Sequence, residues 1–274
     1  GPVTTEGPGR KPWVLMRSGE SPVWTLVGSL GAEHAGTLRQ LAAGKPIAQR
    51  DAADWAARVV LMLPWLEHAE PLIAQMAYQE VASAPYAAML AARPHIRAAR
   101  LRTWLADPAL AAREPVYLLL LGIAGNAGDA DLLERRLDAA AKAGDATNLG
   151  PLIAADLQLR GPARMDWVEA TYLRDAQRSS REVQAALLAS SVQGHANAAV
   201  PRERVIAAYR VFMQANPSLA GLVATDLAAW QVWDAVPAYT ALLNSGVPQH
   251  FASRAQIVQY LRRSPGGAEG AALR

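Results

Sequence analysis

The chain has 274 residues, 51% of them hydrophobic and 19% charged, with a formal net charge of +3, five histidines and no cysteine. This apolar content, with a mean hydropathy of +0.04, excludes a disordered chain. The missing thiols exclude a disulfide scaffold, a zinc–thiolate site, an iron–sulfur cluster and a cysteine nucleophile.

In chain order, residues 1–10 read as a tag remnant, Gly1-Pro2, and a flexible lead-in containing Gly7, Pro8 and Gly9. Residues 11–30 hold the β signal: the apolar runs WVLM and PVWTLVG flank RSGES, which predicts a hairpin. A lone hairpin is marginal in water, so it is expected to pack on helices or to belong to a β domain upstream. Residues 31–264 read as helix almost throughout, and 265–274 as a flexible tail. Periodicity carries the helical reading. Ala52, Trp55, Val59, Met62, Leu63 and Leu66 share one helical face; so do Val205, Tyr209, Phe212 and Met213, and again Val236, Tyr239, Leu242 and Leu243. No apolar run reaches the roughly 18 residues of a membrane span. The most apolar stretch, AARVVLMLPWL, is broken by Pro64 and followed by Glu67, His68 and Glu70.

Helix starts punctuate this stretch. Pro71, Pro94, Pro162 and Pro201 suit the first turn, where a missing N–H costs nothing. Asp129 and Asp234 suit polar caps. These positions are separated by 23, 35, 33, 39 and 33 residues. A step near 35 accommodates two helices and two short connections, which is one helical hairpin. The predicted fold class is therefore all-α: an α-solenoid of stacked helical hairpins, of HEAT, armadillo or TPR type.

In the segment LGIAGNAGDADLLERRL, residues 121–137, Leu121 and Gly122 are expected to close one helix. Gly125 and Gly128 would form the turn, and Asp129 would cap the next helix. This segment resembles the inter-helix turn of bacterial HEAT-like repeats related to phycobilisome-lyase repeats. LAAWQVWDAVPAYTALLNSG, residues 227–246, resembles the same unit, with Trp233 where the pattern has glycine. A β-like preface before such repeats also resembles uncharacterised exported HEAT-repeat proteins of bacteria. The resemblance implies a fold and no activity. Together with the cysteine-free composition it sets the expectation of a periplasmic or otherwise exported protein, with the cytoplasm as the alternative.

The residues offer no catalytic or cofactor constellation. His34, His68, His95, His195 and His250 show no i, i+4 pair, and there is no P-loop, G-x-S-x-G or strand-associated G-x-G-x-x-G. No metal and no cofactor is therefore expected. Trp230 and Trp233 bracket an inter-helix connection, and Tyr172 and Arg178 lie in or near an earlier one. These four residues, with Arg97 and Arg100 on one helical face beside Arg93, are the expected partner contacts. The other reading of the two tryptophans is that they cover seams between repeats. The leading functional expectation is a non-enzymatic scaffold or adaptor that binds another protein or peptide. One alternative is a nucleic-acid binder with Arg93, Arg97, Arg100, Arg202 and Arg204 on phosphates, which the small net charge disfavours. Another, implied only by the resemblance, is a lyase- or chaperone-like protein acting on a cofactor-bearing partner.

Overall fold

The computed structural model describes residues 13–16, 23–196 and 198–265. The lead-in, the hairpin turn RSGES and the tail beyond Pro265 lie outside the described residues. The described chain is all-α apart from one two-stranded antiparallel sheet. It divides into two compact units, Gly1–Ile96 and Arg97–Arg274, so the helical stretch 31–264 is shared between them.

In the first unit, β1 (Trp13–Met16) pairs with β2 (Thr25–Ser29), Trp13 opposite Ser29, with an irregularity between Val14 and Leu15. Then come α1 (Ala35–Ala42), α2 (Ala52–Met62), α3 (Pro71–Ala82) and α4 (Tyr86–Ala91). A reciprocal capping box starts α2: Asp51 accepts from the Asp54 N–H, and the Asp54 carboxylate accepts from the Asp51 N–H. Trp55, Val59, Met62, Leu63 and Leu66 are buried, and α2 packs against α3 and α4. Ala52, in the first turn, is exposed. Arg50 and Arg58 converge on Glu80 at 2.7 and 3.1 Å. Burial opposes ionisation of Glu80, but the two guanidinium hydrogen bonds outweigh it and hold the carboxyl below its usual range.

Pro94 lies in a 3-10 turn, Arg93–His95, rather than opening a helix, because the backbone is extended at Ile96 and Arg97. The second unit begins with α5 (Ala98–Leu105), α6 (Glu114–Ala124), α7 (Ala127–Ala143) and α8 (Leu149–Arg160). Pro162 opens a 3-10 turn that leads into the single turn α9 (Met165–Val168) and a π turn, Glu169–Leu173. Next are α10 (Ser180–Ala196), α11 (Arg202–Ala215), a 3-10 segment Pro217–Val223, α12 (Ala224–Ala229), α13 (Val236–Asn244) and α14 (Phe251–Arg263).

Alternate helices are neighbours here: α6 packs on α8, and α8 on α10. Helices α6 and α8 are apolar on nearly every side, as befits elements covered all round. They approach closely because Gly122 has no side chain; a Cβ there would sit 2.5 Å from the Ala155 Cα. The segment 121–137 departs from its sequence reading. Helix α6 continues to Ala124, Asn126 caps α7, and Asp129 is the third residue of α7, closing the capping box onto the Asn126 N–H. Gly125 is extended (φ −73°), so it gives room rather than an unusual dihedral, and Gly128 lies within the helix. Asp234 does not cap α13 either; it pairs with Arg210.

Asp129 is buried and accepts from Arg102 at 2.6 and 2.8 Å, which holds its carboxyl below the usual range. A carboxyl lowered in the folded state stabilises above its unfolded pKa and loses that contribution as the pH falls through its folded value. In urea titrations Asp129→Asn should therefore be less stable than wild type at neutral pH, and the gap should close below pH 3.8, the ordinary aspartate value. An unchanged gap at low pH would contradict this. Gly122→Val should lower stability by about 1–3 kcal/mol, because its nearest obstacle is backbone that cannot give way. A wild-type urea midpoint in that variant would contradict the close packing of α6 on α8.

Candidate functional site

The second unit carries a groove of about 550 Å³ between α11 and α13. Its α11 wall is Arg210, Met213 and Gln214, continued by Pro217; its α13 wall is Ala238, Ala241, Leu242 and Ser245. Each wall therefore follows the i, i+3, i+4, i+7 face of a helix, about 10 Å in length. Arg210 and Asp234 form an ion pair at one end, and the His250 N–H donates to the Ser218 carbonyl at 3.1 Å towards the other. The two helices thus run in the same sense on either side. Ala220, Leu227 and Tyr239 also line the groove. Most of this lining is apolar, with charge confined to the Arg210–Asp234 end, which suits capture of apolar side chains.

An aromatic series backs the groove. The Tyr239 hydroxyl donates to the Ala220 carbonyl at 3.0 Å, and burial pushes its phenol pKa up. Tyr239 meets Tyr260 edge-on at 5.1 Å, and Trp233 packs on Tyr260 at 5.1 Å. The Tyr260 hydroxyl donates to the Val232 carbonyl at 2.5 Å, and burial pushes its pKa up to about 12. These phenols are held protonated at neutral pH and serve as donors to backbone.

The expected contact residues are placed apart. Trp230 is half-buried, stacked on Tyr209 at 5.8 Å, packed on His195 at 5.0 Å and covered by Arg202 at 5.4 Å. Trp233 is half-buried behind the groove rather than within it. Tyr172 is 0% exposed, because it packs inside the core around α8 and α10, so it presents no surface to a partner in this fold. Arg178 is tied to the Ala141 and Thr171 carbonyls and to Glu182, which makes it a brace between connections. Arg97, just before α5, and Arg100, on it, are exposed, with Arg100 lying over Trp104 at 5.9 Å. Arg204 is paired with the Glu169 and Asp166 carboxylates, and Arg202 donates to the Gly194 carbonyl.

Sequence reading missed Met213, Ala238, Ala241 and Val247 as groove residues. The stripe Val236, Tyr239, Leu242 and Leu243 was legible, but the small residues beside it give no apolar signal. Among the described residues, no group of three or more His, Asp or Glu side chains could hold a metal ion, and no helix is long and apolar enough to cross a membrane. Comparison of the chain with protein-family models, curated proteins and solved structures finds no match.

Proposed function

We propose that this chain is a non-enzymatic protein-binding scaffold whose second unit is a stack of HEAT-like helical hairpins, and that it holds a partner segment in the groove between α11 and α13. The packing of α6 on α8 and of α8 on α10 supports the stacked reading, since adjacent hairpins bring alternate helices together. The observation that carries the binding role is the groove itself: parallel helical walls, apolar lining and a single ion pair at one end. Its volume accommodates a few apolar side chains, not a whole helix, so the partner lies across the mouth and inserts anchors. A basic face for nucleic acid has less support, because the arginines in and beside α11 are already engaged by carboxylates, a backbone carbonyl or an aromatic ring.

A displayed library of helical peptides, selected on the purified chain, tests this role. The selected peptides should carry apolar anchors and lose at least about tenfold in affinity against Ala238→Trp, whose indole fills the groove from an exposed position. Circular dichroism and the melting temperature of that variant should match wild type. Failure to select a binder, or binders indifferent to Ala238→Trp, would contradict the proposal.

A further inference from the structure

The last described helix leaves one face uncovered. Helix α14 packs on α12, α13 and the segment Pro217–Val223 through its buried side, which includes Ser253, Ile257 and Tyr260. On the opposite side Phe251 is 86% exposed, the most exposed of the large hydrophobic residues described, followed by exposed Ala255 and half-buried Val258. Phe251, Ala255, Val258 and Arg262 are separated by four, three and four residues. This is the 4-3 spacing of a seam that meets a second helix at a shallow angle. A large aromatic held in water at the head of such a seam is the part of this surface that calls for a partner.

Charge indicates what that partner carries. Helix α14 has the sequence FASRAQIVQYLRR, with three arginines and no acid. Several arginines elsewhere in the unit, among them Arg136, Arg178 and Arg204, meet a carboxylate, whereas Arg97, Arg100 and Arg202 have no carboxylate partner among the described residues. Arg254 and Arg262 meet none among the described residues. Arg254 immediately precedes Ala255 and flanks the seam, the position from which a coiled-coil residue selects the charge of its partner. A second copy would bring the arginines of both chains together without a carboxylate. A membrane surface would call for a broader apolar face than one aromatic, one alanine and one valine.

We infer that the outward face of α14 docks an acidic amphipathic helix of another protein, with apolar residues at 4-3 spacing on Phe251, Ala255 and Val258 and carboxylates paired to Arg254 and Arg262. This surface is separate from the α11–α13 groove and adds a second contact to the scaffold. Two weak contacts on one chain reinforce each other when a partner spans both.

The test uses the full chain and a designed helical peptide of about 20 residues, with leucine at the 4-3 positions and glutamate beside them. A matched peptide has lysine in place of each glutamate. Fluorescence anisotropy at low salt should show the glutamate peptide binding at least about tenfold more tightly than the lysine peptide. Phe251→Ser should abolish that binding. Arg254→Glu combined with Arg262→Glu should reverse the preference, a result that loss of folding cannot produce. Equal affinity for the two peptides, no binding of either, or indifference to both sets of substitutions would overturn the inference. So would binding to phosphatidylcholine vesicles with about 30% phosphatidylserine in the absence of peptide binding, or self-association that Phe251→Ser removes. Binding lost in Ala238→Trp but kept in Phe251→Ser would move the peptide to the α11–α13 groove, overturning this inference while leaving the groove reading intact.

Discussion

The second unit depends on how closely its helices can approach one another. At Gly122 the backbone of α8 occupies the place of a side chain, and this lets α6 lie against α8 over a fully apolar face. The same device recurs at the far end. A Cβ on Gly221 would sit 2.0 Å from the Ser253 carbonyl oxygen, and the Gly221 N–H donates to the Ser253 hydroxyl at 2.9 Å. That contact seats α14 on the segment Pro217–Val223, which supplies Pro217 and Ala220 to the groove. Close packing at one position therefore shapes both surfaces proposed for binding: the groove that Ala220 helps to line and the outward face of α14.

Ionic contacts fix several of the connections. Arg178 joins the Ala141 and Thr171 carbonyls to Glu182, Arg204 joins Glu169 to Asp166, and Arg160 joins Asp131 to Glu134. Such bridges are individually modest where exposed, but they span 26 to 38 residues of sequence in the Arg160 and Arg204 cases and so tie distant segments of the chain together.

Much of the fold was legible in the sequence because its signals are local. Apolar stripes located α2, α11 and α13, and Pro71 and Pro201 stand at helix starts as expected. Acids favour first turns, which suits Asp129 to a cap, but Asn126, three residues earlier, competes for the same N–H groups and takes them. The ring of Pro94 suits a helix start, but the extended backbone that follows overrides that preference. The site was less legible. Large aromatics signal contact, yet Tyr172 went to the core, and Trp230 and Trp233 went to seams, where flat rings fill the space between helices. A groove is made of absent side-chain volume, and alanines at 238 and 241 carry no periodic signal of their own. It becomes visible only when α11 and α13 stand side by side.

The central claim, that apolar anchors of a partner enter between α11 and α13, is tested most directly by methyl NMR of the chain titrated with a groove-selected peptide. The methyl groups of Met213, Leu227, Leu242 and Val247 should shift together and saturate at one stoichiometry, because all four line the groove. Leu118, Leu133 and Ile153, deep in the core, should remain in place. Perturbations centred on residues outside the groove, with these four methyls unmoved, would contradict the account.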